Sequence, residues 1–338
     1  MDALLKKGIK FEIISRRFNL LKIFYRKKYL FIKTTSFPVN NQPSCAIANN
    51  KFLTKKVLQS FNIPMPKSWL VRTRSQAREL ILEKKLYPCV LKPAQGAHGN
   101  HVYANIESFK EFNELLPLVF TKADGPNNVL VEEYISGREY RVLVVGDKVS
   151  AVMERIPAHV IGNGQSSIRQ LIREFNQNPL VGKKYEKPLC RIIINGEVKR
   201  NLKKLGEKFI SIPKKGEMVF LRQNSNISTG GIGKDATDVV CPLVKELAVQ
   251  ATKAIGMVIS GVDIIYNEQS GKAYVLELND TPGIDIHHYP VFGQPRQVAD
   301  DIVDYLNEEL HREDNIVRPG RYSSWSALPN LNLSSFQL

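Results

Sequence analysis

Two polar side chains interrupt an apolar stretch near the C-terminal end of the sequence. In YVLELNDTPGIDIHHYP (residues 274–290), an acid at Glu277 and an amide at Asn279 are two residues apart. Side chains two apart on a β-strand point to the same face, so Glu277 and Asn279 share one face. Leu276 and Leu278 are then expected to point to the other face, towards a core.

A third oxygen-bearing side chain lies in the preceding apolar stretch. The segment GVDIIY places Asp263 among apolar residues. If its strand pairs with that of Glu277 and Asn279, three oxygen ligands converge on one sheet face, and such a set suits Mg²⁺. The alternative is the ordinary polar alternation of a half-exposed sheet, which binds no metal.

Features suited to phosphate lie upstream. The segment VLKPAQGAHGNHV places Lys92 at a predicted strand end and Gly96 and Gly99 in the loop that follows. Glycines let backbone N–H groups approach phosphate oxygens closely, and a lysine adds positive charge. Lys51, at the start of a predicted helix, can supply a second cation. A plain turn between two strands remains the alternative for this loop.

The segment VLVEEYISGREYRVLV (residues 129–144) predicts a strand end, a hinge at Ser136-Gly137 and a new strand with Glu139 and Arg141 on one face. An exposed strand end offers backbone groups to the edge of an adenine ring. A nearby carboxylate can accept hydrogen bonds from two ribose hydroxyls.

The elements that must position these residues follow from the apolar patterns. Helices are predicted at residues 50–63, 75–86, 167–177, 241–256 and 295–312. Strands are predicted at residues 11–14, 29–34, 87–93, 128–135, 260–267 and 272–279, with a hairpin over 139–155 that turns at Gly146-Asp147. Residues 183–225 are predicted to mix short strands with Lys-Gly turns. Because helices and strands alternate without a βαβ rhythm, we predict an α+β fold with mixed sheets.

Length and composition are typical of a soluble globular protein. The chain has 338 residues, 43% of them apolar and 24% charged. No apolar run reaches the roughly 20 residues of a membrane-spanning helix, and no signal peptide is recognisable. The four cysteines are far apart and form no CxxC pair, so we expect a cytoplasmic protein with reduced thiols.

The net charge of +15 calls for an anionic partner: nucleic acid, a membrane surface, or a polyphosphate or polycarboxylate substrate. The excess is concentrated in residues 1–34, with ten lysines and arginines against two acids, and in residues 183–222. Solvated basic faces are the alternative to a binding surface. No nucleic-acid-binding motif is present, so we expect no nucleic acid partner.

Taken in order, these features resemble an ATP-grasp enzyme over about residues 45–310. Within that superfamily, ERIPAHVIGNGQSSIRQLI, LRQNSNISTGG and IHHYPVFGQPRQVADDIVDYL are similar to the ligase domain of bifunctional glutathione synthetases and to cyanophycin synthetases. The resemblance implies two lobes clasping ATP. It also implies a basic N-terminal segment (1–45), a central lobe (46–130), a C-terminal lobe (131–315) with a lid-like insert (183–225), and a tail (316–338).

The resemblance also implies roles for individual residues. Phosphates would be bound by Lys51, Lys92 and the Gly96–Gly99 loop, adenine by Glu132, Glu133 and Ile135, ribose by Glu139, and two Mg²⁺ or Mn²⁺ ions by Asp263, Glu277 and Asn279. Catalysis would involve Arg222, Asn226 and Arg155, and substrate would contact Arg141, Asp280, His287, His288 and Tyr289. Zinc binding at His287-His288 is the alternative to a pocket wall.

Two departures from the family pattern stand out. The N-terminal domain looks reduced to about 45 basic residues, and no glutamate–cysteine ligase domain precedes it. The arginine that D-alanine–D-alanine ligases carry two residues before the first metal-binding aspartate is Gly261 here. Arg222 is the candidate replacement.

The activity that the resemblance implies is ATP-dependent ligation. A carboxylate of a small acidic amino acid or peptide would be activated as an acyl phosphate and joined to an amine acceptor, in a protein that can form a homodimer. The alternatives are a nucleotide-binding protein without ligase activity, docked to a membrane or an acidic partner, and a phosphate-transfer variant of the fold.

Overall fold

Two antiparallel sheets carry most of the residues singled out above. The computed structural model describes residues 1–25, 28–95, 101–121, 128–183 and 186–315. Gly96, Gly99 and the predicted tail (316–338) lie outside the described residues.

The first sheet has four antiparallel strands and two helices packed on one of its faces. Its elements are Ser68–Val71 (β4), Cys89–Pro93 (β5), Tyr103–Ile106 (β6), Val129–Glu133 (β7), Arg74–Lys84 (α4) and Phe109–Phe120 (α5). The spatial order is β4-β7-β5-β6. Helix α5 was not predicted, although Ser108 caps it and Phe112 and Leu116 recur at helical spacing.

Successive side chains of these strands point alternately to the face covered by the helices and to the opposite face, which lines a cavity. On β5 and β7, Leu91 and Val131 pack against the two helices, whereas Lys92 and Glu132 point to the opposite face. This face carries the polar groups of the first sheet.

The second sheet has five strands: Arg138–Val145 (β8), Lys148–Ile156 (β9), Ile232–Asp235 (β14), Ile259–Asn267 (β15) and Lys272–Asn279 (β16). They pair antiparallel in the order β14-β9-β8-β15-β16. The predicted hairpin turns at Gly146-Asp147, where Gly146 has φ +60° in the left-handed region that favours glycine. The predicted α+β class is confirmed, but the prediction of mixed sheets is wrong for these two sheets, whose strands pair only in the antiparallel sense.

A β-bulge shifts the face pattern of β16. Asp263 pairs with Glu277 and Ile264 pairs with Val275, so Leu276 is the extra residue. A bulge sets two residues opposite one and re-aims the side chains beside it. Leu278 is in the core, as predicted, but Leu276 lines the cavity beside Glu277 and its predicted core position is wrong.

Helices cover both faces of the second sheet. They are Gln42–Ala48 (α2), Lys51–Ser60 (α3) and Pro242–Ile255 (α8) on one face, and Val298–Asn315 (α10) on the other. On β8, Val142 packs towards α8 and Leu143 towards α10. Alternate residues of one strand thus serve two cores.

The N-terminal residues form a meander beside α10. Its elements are Asp2–Lys6 (α1), Phe11–Ser15 (β1), Leu20–Tyr25 (β2) and Lys28–Lys33 (β3). The strands predicted at 11–14 and 29–34 are confirmed, and β2 between them was not predicted. Ile23 and Ile32 pack against the apolar face of α10.

A small cluster of short elements stands over the cavity. It contains His159–Ile161 (β10), Ile168–Gln177 (α6), Val181–Gly182 (β11), Leu189–Cys190 (β12), Gly196–Lys204 (α7), Met218–Phe220 (β13) and a 3₁₀ turn at Ile227–Thr229. Strands and turns alone were predicted for residues 183–225, so α7 is a correction. Asn195 caps this helix, and Val198 and Leu202 bury its apolar face.

A short helix, Asp285–His288 (α9), precedes α10. Among the described residues, no helix combines the length and the apolar character that a membrane crossing requires.

Candidate active site

A cavity of about 590 Å³ lies between the two sheets, beneath β13. The four-stranded sheet contributes Lys92 and Glu132 to one wall, and the five-stranded sheet contributes Asp263 and Glu277 to another. Phe220 of β13 adds an apolar side chain. The cavity therefore combines basic, acidic and apolar walls.

The cavity brings together residues that are far apart in sequence. Of the predicted site residues, those lining it are Lys51, Lys92, Glu132, Glu133, Ile135, Glu139, Arg155, Asn226, Asp263 and Glu277. Those outside its lining are Arg141, Arg222, Asn279, Asp280, His287, His288 and Tyr289. The first group contains the predicted nucleotide residues that the structure describes, and the second contains the predicted substrate residues.

The basic wall is organised around a buried carboxylate. Lys92 Nζ lies 2.7 Å from Glu132 Oε2, and Lys55 Nζ lies 3.2 Å from Glu132 Oε1. Burial by itself raises the pKa of Glu132, but the charges of Lys92 and Lys55 outweigh it and lower that pKa. Glu132 therefore stays ionised between two lysines.

Two arginines hold the acidic wall. Arg141 makes a bidentate contact with Asp263, with Nη2 3.0 Å from Oδ2, and Arg155 Nη2 lies 2.8 Å from the same oxygen. Burial raises the pKa of the Asp263 carboxyl, yet the two guanidinium groups lower it well below its usual range. Asp263 is therefore an anion.

Glu139 and Ser225 connect the acidic wall to the segment after β13. Arg155 pairs with Glu139, and the Ser225 hydroxyl donates a hydrogen bond to the other oxygen of the same carboxylate. Burial lowers the pKa of Arg155, but Asp263, Glu139 and Glu277 outweigh burial and raise it. Arg155 is thus a fixed cation between two carboxylates.

The candidate metal ligands are neighbours on β15 and β16. Asp263 is the cross-strand partner of Glu277, and Gly261 that of Asn279. Lys51 Nζ lies 3.4 Å from Glu277 Oε2, and Asn279 Nδ2 donates to the Gly261 carbonyl at 3.2 Å. The arrangement supplies two carboxylates and one amide. No cluster of three histidines, cysteines, aspartates or glutamates placed to hold a metal occurs in the described part of the chain.

Gly261 leaves room for an arginine from the neighbouring strand. A Cβ atom at Gly261 would lie 2.9 Å from Pro282 Cβ and 3.1 Å from Arg141 Cδ. The side chain of Arg141 therefore lies next to Gly261, the position at which D-alanine–D-alanine ligases carry an arginine. Arg222 instead pairs with Glu197 and is 3% exposed.

The predicted substrate residues that follow β16 differ from one another in exposure and in hydrogen-bond partners. His287 is 1% exposed, and burial, with the charge of Arg141, lowers its pKa to about 3. His288 Nε2 accepts a hydrogen bond from Ala299 N at 3.3 Å. Tyr289 is exposed, and Asp280 accepts a hydrogen bond from the Asn49 side chain at 3.1 Å.

Sequence reasoning missed several residues of this site. Four residues contact or line the cavity walls although the sequence motifs did not indicate them: Lys55, Ser225, Arg138 and Lys234. A signal existed for Lys55, which follows Lys51 by four residues and so lies on the same helix face. Side chains that meet only through tertiary packing leave no comparable pattern.

Comparison with known proteins places this geometry in a family. A model of the ATP-grasp domain matches residues 48–282. The chain belongs to the ATP-grasp family.

Two curated relatives match most of the chain. The glutathione biosynthesis bifunctional protein GshAB of Clostridium perfringens is 35% identical over 314 residues, covering 90% of this chain and 40% of that protein. Cyanophycin synthetase of Trichormus variabilis is 34% identical over 314 residues, covering 91% of this chain and 34% of that protein. The chain thus spans well under half the length of these relatives.

A solved structure agrees with the sequence comparison. The crystal structure of a bifunctional glutathione synthetase from Pasteurella multocida superposes with a TM-score of 0.64 at 31% identity, over 90% of this chain and 42% of that one. The chain therefore has the ATP-grasp fold, as its sequence motifs indicated.

Proposed function

We propose that this chain is an ATP-dependent ligase that joins the carboxylate of an amino acid or peptide to an amine. The observation that carries the proposal is that one cavity of an ATP-grasp family member is lined by both lysines and carboxylates. Lys51 and Lys92 line the cavity together with Asp263 and Glu277, and Lys51 Nζ lies 3.4 Å from Glu277 Oε2. Such a cavity can hold a triphosphate between lysines and carboxylate-bound metal ions.

The proposed nucleotide position follows from the cavity walls. The adenine lies against apolar side chains that include Ile135, Ile265 and Phe220, at the end of β7. Glu139 accepts hydrogen bonds from the ribose hydroxyls, and Lys51 and Lys92 contact phosphates.

The side chains present fit Mg²⁺, because Asp263 and Glu277 carry carboxylate oxygens at paired positions of adjacent strands. The amide of Asn279 is oriented by the hydrogen bond that its Nδ2 donates to the Gly261 carbonyl. We propose two Mg²⁺ ions held by these three residues, with Mn²⁺ as a substitute. When bound, the ions neutralise the phosphate oxygens and thereby assist displacement of ADP.

The proposed chemistry has two steps. A substrate carboxylate oxygen attacks the γ-phosphorus of ATP, the bond to the β-phosphate oxygen breaks, and ADP leaves. An amine then attacks the acyl phosphate, an amide bond forms, inorganic phosphate leaves, and the amine loses a proton. We propose that Arg155, which Asp263 and Glu139 hold in the cavity wall, stabilises the negative charge that develops during phosphoryl transfer.

The substrate class rests on two relatives, one named for glutathione biosynthesis and one for cyanophycin synthesis. We propose an acidic amino acid or short peptide as the carboxylate donor, with an amino acid as acceptor. A γ-glutamyl dipeptide with glycine is the first pair to test.

A screen for ADP and phosphate release by the purified full chain tests the proposal. The chain is incubated with ATP, Mg²⁺ and pairs of acids and amines, and the products are identified by mass spectrometry. We expect ADP release that requires both substrates and yields an amide. ATP binding without turnover for every pair would favour a nucleotide-binding protein without ligase activity.

A further inference from the structure

Lys55 is a buried cation that no part of the proposed mechanism uses. It lies on α3, its side chain is 6% exposed, and it is absent from the cavity lining. Burying a lysine is costly unless its charge is compensated. Its neighbour Lys56 is exposed, as most lysines are.

Part of the compensation comes from Glu132, the carboxylate that also holds Lys92: burial lowers the pKa of Lys55, and the charge of Glu132 opposes that shift. Glu132 lies between the two ammonium groups, 3.2 Å from Lys55 and 2.7 Å from Lys92. The three side chains come from α3, β7 and β5, and each is less than a tenth exposed. Two cations around one anion leave a net charge of +1, and only Lys92 and Glu132 face the cavity.

Without Lys55, the pair of Lys92 and Glu132 would be neutral. A triphosphate approaching Lys92 would then meet an unscreened carboxylate within 3 Å of the ammonium group. In a site shielded from water, that repulsion would cancel much of the attraction of the lysine.

We propose that Lys55 is a positioning residue for nucleotide binding. Lys55 lies outside the cavity lining and neutralises the charge of Glu132, so that Lys92 presents a full positive charge to the phosphates. Glu132 in turn sets the direction of the Lys92 side chain. This role rests on the proposed function, since it assigns the phosphates of ATP to Lys92.

This role gives the two lysines different tasks: Lys92 contacts the ligand, and Lys55 acts only through the shared carboxylate of Glu132. Lys55 Nζ also donates a hydrogen bond to the carbonyl oxygen of Pro66 at 3.4 Å, which tethers the ammonium group at a second point. Its position is therefore fixed independently of any nucleotide.

A double-mutant cycle tests the proposal by isothermal titration calorimetry with ATP and Mg²⁺. Lys55→Met in the wild-type background is expected to raise the ATP dissociation constant about ten-fold, because it uncovers the Glu132 charge. In the Glu132→Gln background the same change is expected to have less than about a three-fold effect, because no charge remains to be neutralised. Lys56→Met, one residue along the same helix, is the matched control and should bind ATP as the wild type does.

Kinetics separate this role from a structural one. Lys55→Met should raise the KM for ATP while lowering kcat by a smaller factor, and circular dichroism should show an unchanged fold. If Lys55→Met fails to fold, Glu132→Gln and the double variant are compared instead, and the proposal requires them to bind ATP alike.

Two results would overturn the role of Lys55. Equal losses of affinity in both backgrounds would indicate that Lys55 contacts the phosphates directly. An unchanged dissociation constant with a lowered melting temperature would indicate a structural lysine. Failure of the wild type to bind ATP would be a different result, because it would remove the proposed function itself.

Discussion

Asp263 is the side chain on which two neighbouring strands of the large sheet converge. Arg141 comes from β8 and Arg155 from β9, and both reach its carboxylate. Breaking such a buried pair by removing one partner is strongly destabilising, because it leaves an uncompensated charge. Glu277 is a better residue for testing the metal site, since its side chain is 30% exposed whereas that of Asp263 is 2% exposed.

Glu277→Gln is expected to abolish turnover and to preserve the fold. The change removes a metal-binding charge and a partly exposed pair that contributes at most about 1 kcal/mol. We expect a loss of at least about a hundred-fold in kcat and a melting temperature within a few degrees of the wild type. Glu246→Gln, on the exposed side of α8, is the control. Unchanged turnover in Glu277→Gln would contradict the metal assignment.

His287 predicts a pH dependence of stability. Its pKa is about 3 in the folded chain, below the value of 6.5 for an unperturbed histidine, because burial disfavours the charged ring. The unfolded chain therefore binds a proton that the folded chain does not, and stability falls as the pH drops below about 6.5.

The measurement is urea unfolding of the wild type and His287→Phe at pH 7 and pH 5. From pH 7 to pH 5, the free energy of unfolding of the wild type should fall by about 2 kcal/mol more than that of the variant, because only the wild type carries the titrating His287. Equal losses would show that His287 is protonated in the folded chain.

At the scale of elements, α7 joins the cluster above the cavity to the four-stranded sheet. Arg200 Nη1 lies 3.2 Å and Lys204 Nζ 3.0 Å from the Glu111 carboxylate of α5. Arg200 also lies over the ring of Tyr103, 5.3 Å from its centroid. These contacts hold β13 over the cavity, since α7 and β13 share one core.

Lys204→Met is therefore expected to weaken ATP retention. Removing a partly buried ion pair costs about 1 kcal/mol of the free energy that holds α7 and β13 over the cavity, so the KM for ATP should rise about five-fold. Lys203→Met, an exposed neighbour on α7, is the matched control. The difference should shrink in 1 M salt, where ion pairs are screened, and a difference independent of salt would argue against this contact.

At the scale of the whole molecule, the site exists only because two sheets face each other. The four-stranded sheet packs its helices on one face and leaves the other to the cavity, whereas the five-stranded sheet carries helices on both faces. A ligand bound to both walls should therefore stabilise the folded chain as a whole.

Thermal unfolding checks this coupling. ATP with Mg²⁺ at about a hundred times the dissociation constant should contribute about 2.7 kcal/mol and raise the melting temperature by a few degrees. Chelating the metal with EDTA should remove most of the rise, because no metal ion then links the triphosphate to the carboxylates of Asp263 and Glu277. A rise of the same size in EDTA would contradict a metal-dependent nucleotide site.

Local patterns predicted much of the fold because each depends on residues a few positions apart. The helices at α3, α4, α6, α8 and α10 and the strands β15 and β16 follow from apolar spacing and from the residues at their ends. Helix α7 was missed because its nine residues are mostly polar, so that only its two buried apolar residues and its cap indicate a helix.

The sequence alone determined which residue types occur and in which order, and this was enough to indicate the ATP-grasp family and the strand pair that carries Asp263 and Glu277. Tertiary structure decided which charges meet. The β-bulge turned Leu276 into the cavity, Arg141 filled the space above Gly261, and Lys55 reached Glu132 from another element. Such contacts join residues far apart in the chain, and the free energy that selects them depends on burial and charge in the folded state.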